Sequence, residues 1–560
     1  MSYIDDYKKW CEYATEDNLL DVLVNLDEKQ IEDAFYRNLA FGTGGLRGII
    51  GAGTNRMNVY TVAKASQGLA NYLKKRYGEK ASVVIGYDSR IKSDLFAKTA
   101  ASVFAANGVI VNIWPRLLPV PTVSYATRYL KASAGVMITA SHNPSKYNGY
   151  KVYGFDGCQI TTEAATKILT EIEKLDIFND VKKTDFDKAI SEGKISFISE
   201  DVLDSFIEQV KKQSVLYGEE VDKNVAIVYS PLNGTGLEPV TRVLKEQGYK
   251  NITIVEEQRL PDGNFPTCPY PNPEIKEALS LGLEYCKKTG ADLMLATDPD
   301  CDRVGIAVKD NNGEYQLLSG NEVGMLLLDY ICSQRKKHGT LPKNPLLIKT
   351  IVTIDMAERI AKDYGLDTIN VLTGFKFIGE QIGLLEAKGE ENRFVFGFEE
   401  SYGYLTSGYV RDKDGVDGAY MICEMFSYYK THGISLLDKL NELYDKYGYC
   451  LNTLHSFEFD GSAGMTKMAE IMKLFHEKIK VGYKFAGKKI EIIEDYSQGL
   501  NSLPKSDVLK YKIEDNCSVV VRPSGTEPKL KTYISVSAPT RKDAEEIEIK
   551  IVEELSQFFK

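Results

Sequence analysis

A threefold repeat of strand, helix, strand and strand is the feature that most constrains how this chain can fold. The three copies occupy residues 81–144, 223–303 and 344–404 of a 560-residue chain. Short apolar runs that alternate with helical patterns predict α/β units. Each copy ends in an apolar run followed directly by a polar loop: "GVMITASHNP", "ADLMLATDPDCDR" and "RFVFGFEESYGY". Ligands gather where the strands of open α/β sheets end in such loops, so we expect three loops of different chemistry to face one cleft.

The C-terminal part of the chain has a different pattern. Residues 465–480 predict a helix, and residues 517–539 predict two strands around a polar loop. Residues 540–560 predict an amphipathic closing helix with Thr540 as its N-cap. At roughly 150 residues per domain, the chain length suggests about four domains. The expected fold class is therefore α/β, with three similar α/β domains and a C-terminal α+β domain.

Composition excludes several classes of partner. A net charge of -10 gives no global basic field for nucleic acid. No stretch approaches the roughly 20 apolar residues of a membrane span, and the charged N-terminus lacks a signal-peptide core. The nine cysteines are scattered without a CxxC pair, which favours a reducing compartment. We expect a cytoplasmic enzyme that binds neither nucleic acid nor membrane.

Ser141 and His142 stand side by side at the end of the first repeat copy. A serine next to a histidine suggests a hydrolase. Neighbouring residues on an extended chain point to opposite sides, however. We therefore expect His142 to be poorly placed to take a proton from Ser141.

Asp298, Asp300 and Asp302 occupy alternate positions in the polar loop that ends the second repeat copy. In an extended segment, three carboxylates at this spacing lie on one side and repel one another unless a cation lies between them. An EF-hand does not fit, because Arg303 stands at its glycine position and Lys309 at its glutamate position. The alternative is an exposed acidic turn. We favour a Mg²⁺ site that takes further oxygen ligands from phosphate and water.

Other segments are candidates for binding phosphate and sugar. The loop "RPSGTEPKLK" can form a phosphate cradle, with a basic hairpin turn as the alternative. The segment "FGTGGLRGIIGAG" lacks the strand and helix of a dinucleotide site, so we expect a glycine-rich loop that presents an arginine to an anion. In the third copy, glutamate, serine and lysine side chains could bind sugar hydroxyls. The alternative is that they are ordinary surface residues. The candidates are Arg47, Lys376, Glu399, Ser401, Arg522, Ser524, Gly525 and Thr526.

Taken together, the motifs resemble those of the α-D-phosphohexomutase superfamily, and most closely its phosphoglucomutase/phosphopentomutase subgroup. Six motifs carry the resemblance, in family order and across nearly the whole chain: "GTGGLRG", "TASHNPSKYNGYKV", "TDPDCDRVG", "TGFKFIG", "GFEESYGY" and "RPSGTEPK". The resemblance implies a heart-shaped molecule of four domains around a central cleft. We place the domains at 1–205 with the phosphoserine loop, 206–318 with the metal loop, 319–445 with the sugar loop and 446–560 with the phosphate loop.

The resemblance also implies the roles of individual residues. Ser141 would carry a phosphoryl group and, through it, join Asp298, Asp300 and Asp302 on Mg²⁺. His142 and Lys151 match positions of general acid–base work, with the lysine pKa lowered by a cationic cleft. Arg47 and Arg303 match arginines of the active site. Lys376, Glu399 and Ser401 match the sugar-binding residues, and Arg522, Ser524, Gly525 and Thr526 match the grip on the non-reacting phosphate.

The implied activity is interconversion of glucose 1-phosphate and glucose 6-phosphate, with glucose 1,6-bisphosphate as intermediate and activator. Pro299 and Cys301, where many members carry glycine, match the phosphoglucomutase/phosphopentomutase subgroup, and Ser401 favours a hexose. Alternatives are a phosphomannomutase, a phosphopentomutase, a glucose-1,6-bisphosphate synthase, a Mg²⁺-dependent phosphatase with Asp298 as nucleophile, and a non-catalytic sugar-phosphate sensor. We expect sugar phosphates as partners and a monomer or homodimer.

Overall fold

The computed structural model describes residues 2–42, 44–459, 461–500, 503–523 and 529–559. The helices are α1 Tyr3–Tyr13, α2 Leu19–Leu23, α3 Glu28–Phe35, α4 Val59–Tyr77, α5 Ser93–Ala106, α6 Val120–Tyr129, α7 Thr162–Glu173, α8 Phe186–Ser191, α9 Glu200–Lys211, α10 Leu237–Glu246, α11 Lys276–Thr289, α12 Gly320–Lys337, α13 Met356–Asp363, α14 Phe375–Glu386, α15 Gly415–Thr431, α16 Leu436–Tyr447, α17 Gly461–Lys478 and α18 Arg541–Ser556. Short 3₁₀ turns cover Glu16–Asn18, Gly78–Lys80, Glu256–Gln258 and Glu391–Arg393.

The strands are β1 Leu46–Ile49, β2 Ser82–Tyr87, β3 Ile110–Ile113, β4 Ala134–Ile138, β5 Tyr147–Gly154, β6 Ile195–Phe197, β7 Ile227–Ser230, β8 Ile252–Ile254, β9 Leu293–Thr297, β10 Val304–Lys309, β11 Tyr315–Leu318, β12 Leu346–Thr350, β13 Asp367–Val371, β14 Phe394–Glu399, β15 Gly403–Leu405, β16 Tyr449–Glu458, β17 Lys484–Phe485, β18 Lys488–Asp495, β19 Leu509–Ile513, β20 Cys517–Pro523 and β21 Lys529–Ala538.

The chain forms two compact units. The first comprises Met1–Gly320, Phe375–Gly397 and Ser401–His432, and the second comprises Asn321–Gly374, Phe398–Glu400 and Gly433–Lys560. Every strand and helix that the repeat predicts is present. The predicted fold class is confirmed.

Strands β2, β3 and β4 of the first repeat copy lie in a sheet of order β1-β5-β4-β2-β3-β6. Strands β7, β8 and β9 of the second copy lie in a sheet of order β11-β10-β9-β7-β8. In both sheets the central strands are parallel, with β2 beside β4 and β7 beside β9. Strands β4 and β9 are buried along their whole length, as expected of parallel strands covered on both faces. Because parallel strands share a carboxyl end, the loops after β2 and β4 leave the sheet at the same edge.

The second unit contains the parallel pair β12 and β13 and a C-terminal antiparallel sheet in the order β16-β21-β20-β19-β18-β17. Helix α18 packs its apolar stripe on this sheet, with Ile551 and Leu555 fully buried. The hydroxyl of Thr540 accepts from the backbone N–H of Asp543, which confirms the predicted N-cap.

A buried charge cluster joins the third repeat copy to the C-terminal sheet within the second unit. Asp355 accepts hydrogen bonds from Lys510 Nζ at 2.6 Å and from Ser518 Oγ at 2.6 Å. Lys349 Nζ lies 3.4 Å from the same carboxylate. Burial opposes ionisation of Asp355, but Lys510 and Lys349 outweigh it and hold its pKa well below the usual range.

Candidate active site

Ser141 lies at the carboxyl end of β4, where the chain leaves the extended conformation. Its φ of +51° is in the left-handed region. The Ser141 N–H donates to Thr139 Oγ1 at 2.8 Å, and its buried hydroxyl donates to Asp298 Oδ2 at 2.8 Å. The first two of the three predicted polar loops therefore meet at Ser141.

The expectation that His142 is poorly placed to take a proton from Ser141 is wrong. Its Nδ1 lies 3.1 Å from Ser141 Oγ, within hydrogen-bond distance. The expectation assumed an extended chain, whereas the left-handed turn at Ser141 brings both side chains to the same side. Burial, together with the positive charges of Arg303 and Arg47, holds the pKa of His142 well below its usual value. The imidazole is therefore neutral near pH 7 and able to accept a proton.

The three aspartates converge through a turn and not through an extended segment as expected. Cys301 has a φ of +52°, and the backbone N–H groups of Asp302 and Arg303 donate to Asp298 Oδ1 at 3.1 and 3.0 Å. One carboxylate oxygen from each of Asp298, Asp300 and Asp302 lies within 4.8 Å of the others. All three side chains are buried, so the alternative of an exposed acidic turn is excluded.

The triad fits a hard divalent cation. Among the described residues, the buried Oδ1 atoms of Asp300 and Asp302 have no hydrogen-bond partner. Burial, reinforced by the negative charges of Asp300 and Asp302, raises the pKa of Asp298 well above its usual value. Buried carboxylate oxygens that accept no hydrogen bond are costly, and a cation with oxygen ligands relieves that cost.

Two lysines lie against the triad. Lys151 Nζ is 2.9 Å from Asp300 Oδ2 and 3.3 Å from Asp302 Oδ2, and Lys413 Nζ is 3.0 Å from Asp302 Oδ2. The predicted lowering of the Lys151 pKa is wrong. Burial does work against the charged form, but the Asp300 and Asp302 carboxylates outweigh it and raise the pKa. Sequence reasoning assigned no role to Lys413.

The two predicted arginines occupy different settings. Arg303 forms an ion pair with Glu274, a partner that sequence reasoning missed. Arg47 is exposed and donates to Asn143 Oδ1 at 3.2 Å. Arg47 belongs to strand β1, whereas a loop was expected there. A side chain at Gly45 would place its Cβ 1.8 Å from the Tyr150 carbonyl oxygen, so this close strand approach requires glycine.

Arg90, which sequence reasoning missed, hydrogen-bonds to the backbone of the Ser141 loop. Its buried guanidinium donates to the carbonyl oxygens of Pro144 and Tyr147, both at 3.0 Å. It also donates to the carbonyl oxygens of Ser141 and Asn143. Arg90 follows β2, the parallel neighbour of β4, so sheet order and not sequence spacing places it there.

The remaining candidates are distributed over both units. Lys376 is half-buried near the start of α14, and Ser401 follows β14; both belong to the first unit. Glu399 is buried and Arg522 half-buried; both belong to the second unit. Ser524, Gly525 and Thr526 lie outside the described residues.

Within the described part of the chain, every helix is too short or too polar to span a lipid bilayer.

Four family models match successive segments of the chain. Their descriptions are phosphoglucomutase/phosphomannomutase α/β/α domain I at residues 38–177, domain II at 204–313, domain III at 319–447 and the C-terminal domain at 467–554. Together these models cover most of the chain.

Individual proteins that resemble this chain come from the same family as the four models. A phosphoglucomutase from Staphylococcus saprophyticus is 34% identical over 562 residues, which covers 98% of each chain. A crystal structure of parafusin, a Paramecium phosphoglucomutase, has a TM-score of 0.71 at 18% identity and covers 93% of this chain and 96% of its own. A putative phosphomannomutase from Thermus thermophilus has a TM-score of 0.68 at 21% identity and covers 93% and 99%. The two structures show that the fold is shared.

Proposed function

The chain belongs to the phosphoglucomutase/phosphomannomutase family, and on that premise we propose that it interconverts glucose 1-phosphate and glucose 6-phosphate. One observation carries this proposal: the Ser141 hydroxyl lies 2.8 Å from Asp298, in a buried aspartate triad with two oxygens that accept no hydrogen bond. A serine in this setting suits a phosphoryl carrier. The choice of glucose rests on the phosphoglucomutase that is 34% identical over 98% of both chains.

In the proposed reaction, a sugar hydroxyl attacks the phosphorus of phosphorylated Ser141. The bond from phosphorus to Ser141 Oγ breaks, a bond from phosphorus to the sugar oxygen forms, and the sugar hydroxyl loses its proton. The product is glucose 1,6-bisphosphate. After it turns round, its other phosphoryl group returns to Ser141, so the enzyme regains its phosphate and the isomeric monophosphate leaves.

The residues around Ser141 suit this transfer. Neutral His142, with Nδ1 3.1 Å from Ser141 Oγ, is placed to take and return the proton. Lys151, whose raised pKa keeps it charged, and Arg47 and Arg303 offset negative charge on the transferred oxygens. Mg²⁺, held by Asp298, Asp300 and Asp302, would supply further charge neutralisation when bound.

The residues that select the sugar form the second part of the proposal. We assign the sugar hydroxyls to Lys376, Glu399 and Ser401. The non-reacting phosphate is assigned to Arg522, Ser524, Gly525 and Thr526. The predicted domain boundaries, sugar-phosphate partners, cytoplasmic location and monomeric or homodimeric state remain predictions.

The test compares substrates on the purified protein with Mg²⁺ and glucose 1,6-bisphosphate. We expect kcat/KM to be highest for glucose 1-phosphate among glucose 1-phosphate, mannose 1-phosphate and ribose 1-phosphate. A higher value for ribose 1-phosphate would identify a phosphopentomutase. Release of inorganic phosphate by the Ser141→Ala variant at the wild-type rate would favour the phosphatase alternative.

A further inference from the structure

A cavity of about 500 Å³ lies between helix α4, the end of strand β5 and helix α14, all in the first unit. Its volume is within the range of small-molecule sites, roughly 300–1,000 Å³. The lining is mostly apolar and aromatic. Phe155, 58% exposed, and Leu384, 50% exposed, leave apolar surface open to solvent in its wall. Such exposed apolar surface in a concave site is typical of ligand binding.

A hollow of about 540 Å³ adjoins this cavity, and basic residues outnumber acidic ones in its lining. The two share Arg76, Tyr77, Ser133, Phe155, Asp156 and Glu386. Lys80, Arg128 and Lys131 also line the hollow. Arg76, Lys80 and Lys131 form no ion pair with any carboxylate in the described part of the chain. The Arg76 guanidinium instead donates to the Tyr72 hydroxyl at 2.9 Å and lies 5.4 Å from the centroid of the Tyr77 ring. The hollow thus offers an anion an arginine already oriented by two aromatic residues.

Three residues of the cavity wall bond directly to residues beside the candidate active site. The Tyr153 hydroxyl donates to Asp412 Oδ2 at 3.0 Å, next in the chain to Lys413. The Cys158 thiol donates to the Lys376 carbonyl oxygen at 3.2 Å. Glu386 accepts from Arg411 Nη2 at 2.7 Å. A molecule in the cavity would therefore press on groups that position Lys413 and Lys376.

We propose that this cavity binds a small amphipathic anion, with a planar apolar body and one sulfonate, carboxylate or phosphate group, and that its occupancy changes the affinity for sugar phosphate. The apolar body would occupy the space between α4 and α14. The anionic group would pair with Arg76 at the edge of the charged hollow. By linkage, bound sugar phosphate must change the affinity for this anion by the same factor.

The probe is 8-anilinonaphthalene-1-sulfonate, which has a planar apolar body and one sulfonate group, titrated by fluorescence into the intact wild-type protein. We expect saturable one-to-one binding. Gly383→Phe should weaken probe binding at least tenfold, because the ring would fill the cavity. The substitution has room, since a Cβ at this position meets only Asp156 Oδ2, at 3.7 Å, outside its own helix. Arg76→Gln should weaken binding and reduce its dependence on salt. Thr170→Phe adds the same ring on an exposed face of α7 and should leave binding unchanged.

Coupling is measured by calorimetric titration of glucose 6-phosphate into protein with and without saturating probe. We expect at least a twofold difference, matched by the reciprocal shift in probe affinity. Equal binding by wild type and Gly383→Phe, or no saturable binding, would overturn the site. Probe binding without any shift in a measurable glucose 6-phosphate affinity would overturn the coupling. Failure of the protein to bind glucose 6-phosphate at all would contradict the proposed function, while the probe titration would still test the cavity.

Discussion

Ser141 Oγ donates a hydrogen bond of 2.8 Å to Asp298 Oδ2, although 157 positions separate the two residues in the chain. The bond joins the end of a strand in the first sheet to the turn after a strand in the second. It places the proposed phosphoryl carrier directly on the proposed metal ligands. The function proposed here depends on this juxtaposition.

Replacing Ser141 by alanine should remove both the phosphoenzyme and mutase turnover. Incubation of wild type with glucose 1,6-bisphosphate should add one phosphoryl group by intact mass, and Ser141→Ala should add none. We expect turnover to fall by at least about 1000-fold, as for loss of other catalytic nucleophiles. Ser196→Ala, at an exposed position on β6, is the control and should behave as wild type. A phosphoryl group on Ser141→Ala would mean that another residue is the carrier.

Divalent cations should be required for activity and should stabilise the protein through the aspartate triad. Chelation should abolish turnover, and Mg²⁺ should restore it. Cation binding relieves repulsion between buried carboxylates, so it should raise Tm; at 100 times Kd the stabilisation would be about 2.7 kcal/mol. Asp300→Asn should lose this rise in Tm. Asp292→Asn, just before β9, should keep it, and an equal rise in both variants would place the cation elsewhere.

Loss of the Arg90 guanidinium should release the Ser141 loop and destabilise the first unit. Arg90→Met leaves four carbonyl oxygens without their donor and leaves Asp88, 3.4 Å away, buried without its cation. Breaking a buried ion pair in this way costs about 3–5 kcal/mol. We expect Arg90→Lys to fold but to phosphorylate slowly, because one ammonium cannot reach all four oxygens. Urea unfolding and the phosphorylation rate are the measurements, with surface Arg242→Lys as control; a wild-type phosphorylation rate in Arg90→Lys would show that the loop needs no such support.

The stability of the second unit should depend on the ion pair between Lys510 and Asp355. Lys510→Met removes the donor at 2.6 Å and leaves the half-buried Asp355 carboxylate with only Ser518 and Lys349 as partners. The expected loss of unfolding free energy is about 1.5–3 kcal/mol, as for one hydrogen bond to a charged group. It should appear as faster hydrogen exchange in β19 and β20 than in wild type. Lys505→Met, at an exposed position in the same unit, should exchange as wild type, and unchanged exchange in Lys510→Met would show that the cluster adds no stability.

Acid should destabilise the first unit partly through Glu386. Hydrogen bonds from Arg128, and the charge of Arg411, lower the pKa of Glu386 to about 2 from an ordinary value of 4.5. A lowered carboxyl pKa stabilises the fold above the ordinary value, and that contribution is lost as pH falls toward 2. The free energy of unfolding of Glu386→Gln should therefore fall less steeply than that of wild type between about pH 5 and 2. Glu284→Gln, at an exposed position, should show the same pH dependence of unfolding free energy as wild type. An identical pH dependence for all three proteins would contradict the lowered pKa of Glu386.

The sequence by itself determined the strands and helices of the three repeat copies, and most of the loops that carry chemistry. Apolar runs such as Ala134–Ile138 and Leu293–Thr297, and the spacing of the three aspartates, reflect local backbone preference and burial, which short-range patterns record. The motifs also sufficed to indicate the family. Only the tertiary structure decided what depends on distant parts of the chain or on a special φ: the contact of Ser141 with His142, the support from Arg90, the place of Lys413 and the raised pKa of Lys151. These features arise from sheet order and from the summed charge of residues far apart in sequence, and local patterns carry neither.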